Sequence, residues 1–577
     1  MSLDKPGSVD KPTAAYFCME IGVQPEIPTY SGGLGVLAGD FMKSASDMEA
    51  PIIGVSLLYN RGYFKQKIEN NRQSVLPQEY EPQKHMVELD EVVKVNIEGR
   101  DVKVKAWLYE QKGITGFTNP IIYLATNVVG NPCWDEEITQ WLYKQECGDN
   151  SYWRIAQEMI LGIGGVRMLH LLNKKYPEKF PLPEVFHLNE GHGAFATLEL
   201  MRTYGKQKAK DKTVFTTHTP VPAGHDRFHY GKVSAMMGGY EKGFDLEALA
   251  GDYMLNMTLL ALNMSRYANG VSKMHGQVSK EMFPGHEIDY ITNGAHSFTW
   301  ASPEFQKIYD KHIPGWRHNP ELLKEEKKIP SSSLLEAHAK AKARLIEFVN
   351  SGHNVLGTEL EPNLVTIGFA RRIAEYKRAG LPFWDKEALI DACNGKAQPV
   401  YAGKPHPRDG PAADLLSYVL HQAATLRGRM NAAFIEDYNM AVGMLMTQGS
   451  DAWLNLPRRP HEASGTSGMK AAHNGVPTAS TLDGWVVEVE KIGREKQRVR
   501  QGVWEIGAEP THENRWKSDD HADMKDFYKV LKEQVIPDAS NPDDYVERMR
   551  GAIRNAAYFN SHRMVKEYLK KAYGFSY

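Results

Sequence analysis

Paired cysteines, an excess of one charge and a targeting segment are all missing from this 577-residue sequence. Cys18, Cys133, Cys147 and Cys393 are widely separated and form no CxxC pair, which argues against a disulfide framework or structural zinc site and favours reduced thiols. The formal net charge is −2, whereas a nucleic-acid surface normally shows a basic excess. The polar N-terminus lacks an apolar h-region, and no apolar run is long enough to span a bilayer. These absences favour a soluble cytoplasmic protein without nucleic-acid or membrane partners.

Short apolar runs alternate with helical patterns along the chain. This alternation predicts α/β units with parallel sheets. The predicted strands are 14–18, 52–58, 185–188, 213–216, 288–291, 364–369, 399–402, 433–435 and 452–456, and the predicted helices include 41–48, 151–172, 334–350 and 412–427. The pattern pauses near Trp300, which predicts two α/β domains, 1–300 and 301–577. The last segment, 545–577, reads as helical and is expected to pack back on the first domain.

Polar or glycine-containing motifs follow most of these strands directly. Ligands bind outside the carboxyl ends of the strands in open parallel sheets, so we expect the motifs to surround one crevice between the two domains. They are Asn189-Glu-Gly-His192, Thr217-His-Thr-Pro220, Thr292-Asn-Gly294, Ala370-Arg-Arg372, Gly403-Lys404 and Glu436-Asp-Tyr438.

A glycine-rich segment, Tyr30-Ser-Gly-Gly-Leu-Gly-Val-Leu-Ala-Gly39, precedes a predicted helix. Glycines let backbone N–H groups approach an anion, and a helix N-terminus favours negative charge. An ordinary tight turn before a helix explains the segment equally well.

A basic segment, Phe369-Ala-Arg-Arg-Ile-Ala-Glu-Tyr-Lys-Arg378, follows the strand 364–369. Arg371 and Arg372 would stand at the strand end, and Lys377 and Arg378 in the next helix. Arginine offers a planar fork to phosphate oxygens, and lysine offers a point charge. Composition alone favours a solvated basic helix start, but the position after a buried strand shifts the balance towards anion binding.

The segment from Arg458 to Lys470 combines small residues with a carboxylate and a lysine. Residues 463–468 leave many backbone N–H groups accessible, Glu462 can accept hydroxyl hydrogen bonds, and Lys470 lies where a helix could start. A lysine held away from bulk water can have a depressed pKa and form a Schiff base with an aldehyde.

His192, His218 and Asn293 each follow a predicted strand. A single histidine is usually structural or at the surface. His192 and His218 could form a metal pair, but no third ligand has diagnostic spacing, so the prediction is that no metal binds.

Six motifs together resemble the α-glucan (glycogen, starch, maltodextrin) phosphorylases, in family order and over about 14–488. They are Ser31-Gly-Gly-Leu-Gly35, Asn189-Glu-Gly-His192, His218-Thr-Pro-Val-Pro222, Thr292-Asn-Gly294, RIAEYK from Arg372 to Lys377, and EASGTSGMK from Glu462 to Lys470. The last is the most specific. The short chain and the segment from His218 to His225 are similar to the compact microbial branch.

The resemblance implies a GT-B fold, with two Rossmann-like domains facing across a deep cleft. It implies that orthophosphate removes the terminal glucosyl unit of an α-1,4-glucan, with retention, to give α-D-glucose 1-phosphate. It also implies pyridoxal 5′-phosphate as cofactor, acting through its 5′-phosphate as a proton relay and not as an electron sink. The family is often dimeric, so a homodimer is possible, although no feature of the sequence fixes an interface.

The family's site residues carry over position by position. Lys470 would form the Schiff base, Arg372 and Lys377 would bind the substrate phosphate, and His218 would position the sugar. The cofactor residues would be Thr466, Ser467, Arg371, Tyr438 and Gly33, whose N–H also helps to bind the substrate phosphate. The substrate residues would be Glu462, Ser464, Gly465, Asn293, Gly32, Leu34 and His192.

The sequence departs from the better-known family pattern in three places. Arg371 stands where animal and plant relatives have lysine, and Ser467-Gly468 where long relatives have Gly-Asn. The N-terminal regulatory region has no counterpart, which predicts no phosphorylation control within 1–13. Two rival functions stay open: a GT-B nucleotide-sugar glycosyltransferase without pyridoxal phosphate, and a non-catalytic glycan-binding homologue.

Overall fold

A computed structural model of the chain describes residues 13–143, 151–492, 499–511 and 517–575. Cys147 and residues 1–12, on which the predictions about reduced thiols and N-terminal phosphorylation partly depend, lie outside the described residues. Cys18, Cys133 and Cys393 are free cysteines.

The described chain forms short strands, most of them in two sheets. In chain order the strands are β1 Ala14–Phe17, β2 Ile52–Leu57, β3 Lys65–Glu69, β4 Arg72–Leu76, β5 Val87–Ile97, β6 Arg100–Lys112, β7 Thr118–Ala125, β8 Val185–Asn189, β9 Thr213–Thr216, β10 Arg227–Phe228, β11 Leu255–Asn256, β12 Tyr267–Gly270, β13 Asp289–Tyr290, β14 Val365–Ala370, β15 Ala397–Ala402, β16 Ala433–Ile435, β17 Ala452–Asn455, β18 Thr478–Thr481, β19 Lys491–Ile492, β20 Val499–Arg500 and β21 Val503–Ile506.

The first sheet has nine strands in the order β13-β12-β9-β8-β1-β2-β7-β6-β5, and the second has six in the order β16-β15-β14-β17-β18-β21. All pairs in the second sheet are parallel. In the first sheet only β5–β6 and β6–β7 are antiparallel. Both faces of β1 are covered, because Ala15 and Phe17 belong to one core cluster and Ala14 and Tyr16 to another. Such two-sided burial is typical of parallel sheets flanked by helices.

These sheets confirm the predicted mixed α/β class. All nine predicted strands are present, although 288–291 contributes only the two residues of β13. The other described strands were not predicted; they include the hairpin β3–β4, the long strands β5 and β6, and strands β7, β12, β18 and β21 of the two sheets. Exposed and buried residues alternate along much of β5 and β6, as in a half-solvated antiparallel sheet. Because the strands were predicted from continuous apolar runs, these two alternating strands were not recognised.

Helices cover the sheets and continue to the C-terminus. They are α1 Gly33–Asp47, α2 Cys133–Glu136, α3 Ser151–Met159, α4 Gly165–Lys175, α5 Ala196–Tyr204, α6 Lys206–Lys212, α7 Tyr230–Met237, α8 Leu246–Ala250, α9 Met257–Asn263, α10 Lys273–Met282, α11 Ser297–Trp300, α12 Pro303–His312, α13 Ser331–Phe348, α14 Lys386–Cys393, α15 Gly410–Ala424, α16 Met440–Gly449, α17 Ser467–Ala472, α18 Asp520–Val530, α19 Ile536–Ser540, α20 Pro542–Tyr558 and α21 Ser561–Glu567.

The helix predicted over 151–172 consists of α3 and α4 joined by a π-helical turn at Ile160–Gly164. Contrary to the sequence-based expectation, Ser151–Lys175 is long and apolar enough to cross a membrane, yet its most apolar window is 83% buried within the protein. Met159, Leu161 and Leu169 belong to the core cluster on one face of the first sheet. The apolar character of this helix is therefore accounted for by packing against that sheet.

Two segments connect the part of the chain that forms the first sheet with the part that forms the second. In the hairpin β3–β4, the backbone N–H of Gln66 donates to Asp437 after β16 at 2.9 Å, and its side chain donates to the carbonyl of Gly403 after β15 at 3.0 Å. Beyond α20, the segment from α21 onwards packs on the first sheet, where the Tyr573 hydroxyl lies 2.8 Å from His187 Nδ1. The chain thus crosses between the sheets more than once.

Candidate functional site

One cavity of about 650 Å³ contains the residues that the sequence analysis assigned to the site. It is lined by segments that follow β1, β8 and β9 of the first sheet and β14, β16 and β17 of the second. The carboxyl ends of both sheets therefore open towards one space, as expected for parallel α/β sheets. The predicted residues that line it are Gly32, Gly33, Leu34, His192, His218, Asn293, Arg371, Arg372, Lys377, Tyr438, Glu462, Ser464, Gly465, Thr466, Ser467 and Lys470.

The glycine-rich segment forms the turn into α1, which begins at Gly33 without a side-chain cap. A Cβ atom added at Gly32 or Gly33 would meet nothing within 4 Å, whereas one at Gly39 would lie 1.8 Å from the carbonyl oxygen of Gly22. Gly39 is therefore required for close packing of the backbone. Gly32 and Gly33 instead leave the helix N-terminus accessible from the cavity, where its N–H groups favour an anion.

Glu20 holds this turn in place and was missed by the sequence analysis. Its carboxylate accepts hydrogen bonds from the backbone N–H of Ser31 at 2.5 Å and from the Tyr143 hydroxyl at 2.9 Å. Burial raises the pKa of Glu20, against the effect of these donors. Glu20 comes three residues after β1, so the rule that polar residues at strand ends form the site could have identified it.

Three cationic side chains enter the cavity from the segment after β14. Lys377 Nζ lies 2.8 Å and 2.7 Å from the two carboxylate oxygens of Glu462, and Arg371 pairs with the same carboxylate. Burial opposes ionisation of Glu462, but Arg371 and Lys377 outweigh it and hold its pKa below the usual value. Arg372 is exposed. Two of the three cations thus share one carboxylate while Arg372 also lines the cavity, which leaves this group net positive and suited to an anion.

The placement of Lys377 and Arg378 in a helix was wrong. Glu375–Lys377 form a single 3-10 turn, and Arg378 ends it in the left-handed conformation with φ 52°. Arg378 is buried and pairs with Asp520 at 2.9 Å and Asp523 at 2.8 Å. Arg378 therefore fixes α18 to the segment after β14, whereas Lys377 lines the cavity.

Lys470 is the fourth residue of the short helix α17, which begins at Ser467. Its ammonium lies 4.1 Å from the centroid of the Trp300 ring. Burial lowers the pKa of Lys470 from 10.5 to about 8, with Asp40 partly opposing the shift and Lys43 adding to it. A larger fraction of Lys470 is therefore neutral, and nucleophilic, near physiological pH than of an exposed lysine.

His218 and Asn293 occupy the side of the cavity formed by the first sheet. His218 Nε2 lies 2.5 Å from Asn189 Oδ1, and burial lowers the pKa of His218 to about 3, so the imidazole is neutral. The Asn293 Oδ1 and Ser464 Oγ atoms are buried and make no hydrogen bond within the described part of the protein. Buried polar atoms are normally satisfied, so both are available to a ligand in the cavity.

His192 stands beside an ion-paired group. Its Nε2 atom lies 3.6 Å from Asp226 Oδ2, and Arg154 lies 2.7 Å from the same carboxylate oxygen. Glu158 is close to both His192 and Asp226, and its burial raises its pKa. The guanidinium already supplies the positive charge that these carboxylates require, so the cluster is explained as an ion-pair network.

The sequence is similar to those of known carbohydrate phosphorylases. Residues 24–116 and 226–502 match the phosphorylase family, described as carbohydrate phosphorylase. A maltodextrin phosphorylase of Thermococcus litoralis is 37% identical over 97% of this chain and 70% of its own length. A glycogen phosphorylase of Mycobacterium tuberculosis is 31% identical over 97% and 70%. An uncharacterized protein of Methanocaldococcus jannaschii is 31% identical over 98% and 100%.

The family match covers most of the chain and includes the glycine-rich, basic and lysine-containing segments that form the cavity. It confirms the resemblance drawn from the six motifs. The chain belongs to the carbohydrate phosphorylase family.

Proposed function

We propose that this protein is an α-1,4-glucan phosphorylase, which uses orthophosphate to release the terminal glucosyl unit as α-D-glucose 1-phosphate with retained configuration. One observation carries the proposal: the buried Lys470 amine shares a cavity with Arg371, Arg372 and Lys377. Two of the relatives described above are a maltodextrin phosphorylase and a glycogen phosphorylase. The proposal includes the GT-B arrangement, with domains 1–300 and 301–577 facing across the cavity, and action in the cytoplasm.

The residues around Lys470 fit pyridoxal phosphate. The amine is buried, faces the flat Trp300 ring and has a pKa of about 8, which suits covalent attachment to an aldehyde. Arg371 Nε is a buried donor that makes no hydrogen bond among the described residues, so it is available to a phosphate. Lys470 would hold the cofactor covalently, and the other holding residues would be Thr466, Ser467, Arg371, Tyr438 and Gly33.

When bound, the cofactor would supply a phosphate group able to exchange a proton with the substrate phosphate. Arg372 and Lys377 would hold the substrate phosphate, with the Gly33 N–H as a third donor. Two phosphates in proximity require surrounding cations and donors, and the cavity provides them. Because Lys377 is paired with Glu462, phosphate binding would draw Lys377 away from this carboxylate and leave Glu462 free to accept sugar hydroxyls.

The sugar side of the cavity would be formed by Asn293, Ser464 and Gly465 together with Glu462. The unpartnered Asn293 Oδ1 and Ser464 Oγ atoms support hydrogen bonds to hydroxyls, because a buried polar atom gains most from a ligand partner. Neutral His218 would position the sugar near the anomeric centre without adding charge. Gly32, Leu34 and His192 would complete the walls.

The proposal is tested by incubating the purified protein with maltooligosaccharide and orthophosphate and measuring glucose 1-phosphate. Activity should be lost in Lys470→Ala and kept in Lys280→Met, an exposed lysine of α10. Arg372→Gln should raise the KM for orthophosphate by roughly 10- to 100-fold, the effect expected for loss of a hydrogen bond to a charged group.

The two rivals predict different results. A nucleotide-sugar glycosyltransferase would release nucleoside diphosphate from a sugar nucleotide and would contain no pyridoxal phosphate. A glycan-binding homologue would bind maltooligosaccharide without turnover. Absorption spectra before and after borohydride reduction, with peptide mapping, decide the cofactor question; reduced protein without cofactor on Lys470 would refute the proposal.

A further inference from the structure

Helix α1 lines the cavity with residues from Gly33 to Leu37, and it carries a buried acid beyond them. It begins at Gly33, beside the proposed phosphate site, and Asp40 follows seven residues later. Seven residues make about two helical turns, or roughly 10 Å along the axis, so Gly33 and Asp40 lie on the same face. The helix that presents its N-terminus to the proposed phosphate site therefore also presents Asp40.

Asp40 is a buried carboxylate whose partner is an indole. Only 2% of Asp40 is exposed, and Trp300 Nε1 donates to its two carboxylate oxygens at 2.8 Å and 3.1 Å. Hydrogen bonds to an ionised acceptor are stronger than neutral ones. The bond fixes the plane of the Trp300 ring, because rotating the ring would leave a buried carboxylate without its donor.

The fixed ring in turn faces the Lys470 amine, whose Nζ lies 4.1 Å from the ring centroid. A cation is attracted to the negative face of an indole within about 6 Å of its centroid. Donating its N–H to a carboxylate makes the indole more electron-rich, which strengthens this attraction. The order of contacts is thus carboxylate, indole and amine, from α1 through α11 to α17.

We propose that Asp40 and Trp300 are positioning residues for Lys470: the carboxylate orients the indole, and the indole holds the ε-amino group at the wall of the cavity. The inference rests on the proposed function, because holding the amine matters if Lys470 carries the cofactor. It gives α1 a second role besides the proposed phosphate site and links three segments far apart in the sequence.

Two charged residues on α1 act on Lys470 with opposite signs. Asp40 raises the pKa of Lys470, whereas Lys43 lowers it, against the larger lowering by burial. Lys43 is itself held by a hydrogen bond to Thr299 Oγ1 at 3.2 Å. The cations Arg371 and Lys377, which line the same cavity, both pair with Glu462. One helix therefore offers a test variant and its matched control.

The test measures the pKa of Lys470 in the cofactor-free protein, by acetylation with limiting acetic anhydride between pH 6 and 10 and quantification of the Lys470 peptide. Asp40→Asn removes the charge but keeps an oxygen that can accept the indole N–H, and we expect the pKa to fall by about one unit. Lys43→Met should raise it. A loosened fold would shift both variants in the same direction, so opposite shifts are the signature of the proposed contacts.

No shift in Asp40→Asn, or shifts of the same sign in both variants, would overturn the inference. Asp40→Ser, a smaller neutral acceptor, replaces Asp40→Asn if the latter does not fold in a thermal melt, and the same downward shift is expected. Cofactor content and glucose 1-phosphate release are measured separately on the unaltered protein. Opposite shifts without cofactor would refute the proposed function alone, whereas cofactor on Lys470 without shifts would refute the positioning role alone.

Discussion

Replacement of Lys470 by methionine should stabilise the cofactor-free protein at neutral pH. Burial lowers the pKa of Lys470 from 10.5 to about 8, and each pKa unit corresponds to roughly 1.4 kcal/mol, so keeping the ammonium buried costs about 3 kcal/mol. Methionine preserves most of the apolar stem but loses the attraction to Trp300, worth about 0.5–2 kcal/mol. The expected net gain in unfolding free energy is about 1–3 kcal/mol.

The gain should depend on pH in a defined way. Between pH 8 and 10.5, folded Lys470 binds fewer protons than unfolded Lys470, so the stability of the unaltered protein rises with pH. The penalty is fully present below pH 8 and gone above 10.5. The advantage of Lys470→Met should therefore be largest at pH 7 and shrink across this interval.

Thermal unfolding of cofactor-free protein provides the assay. The unfolding entropy of a chain of 577 residues is about 1.2 kcal/mol per degree, so the expected gain raises the Tm by about 1–3 °C at pH 7. Lys280→Met, at an exposed lysine, serves as control and should show no pH-dependent difference. A Lys470→Met protein less stable than the unaltered one at pH 7, or a difference that stays constant up to pH 10.5, would refute the reasoning.

Four further substitutions test other parts of the site. Glu462→Gln leaves the buried Lys377 without its carboxylate and should cost about 3–5 kcal/mol, seen as a lower Tm that orthophosphate partly restores; an unchanged Tm would contradict the ion-pair reading. Gly33→Ala should fold normally and lose at least roughly tenfold in phosphorolysis rate, about 1.4 kcal/mol, whereas Gly39→Ala should lower the Tm because its Cβ would lie 1.8 Å from a carbonyl oxygen; equal effects on both would contradict their separate roles. Arg378→Met should lower the Tm by removing the cation paired with two acids at a cost of about 3–5 kcal/mol, and a Tm equal to that of the unaltered protein would argue against a structural role.

The sequence predicted which residues line the cavity better than it predicted how they interact. Strand ends, glycines and basic residues, together with the family resemblance, selected many of the lining residues, because parallel strands bring their carboxyl ends together, but they did not select Glu20. The same reasoning did not reveal that Lys377 and Arg371 share Glu462. Nor did it reveal that Arg378, one residue after Lys377, points to Asp520 and Asp523. Arg378 itself has a left-handed backbone conformation, which turns its side chain away from that of Lys377. Local propensity does not predict such a conformation for an arginine.

Two structural residues near Lys470 were also beyond the reach of sequence patterns. Trp300 was noticed only as a marker of the predicted domain boundary, yet its ring faces the Lys470 amine. Asp40 was one of several polar residues in α1, and its partner is 260 positions away. Contacts of this kind depend on which elements pack together, and periodicity within one element carries no information about them.

By itself, the sequence determined the chemistry available to this protein: parallel α/β units, a lysine in the segment EASGTSGMK, cations at strand ends and the family to which the chain belongs. Only the tertiary structure decided the charge state of Lys470, the pairing of Glu462 and the contact of α1 with the cavity. The physical reason is that burial and long-range neighbours set a pKa and choose a salt-bridge partner, and both exist only after the sheets, helices and crossing segments have packed.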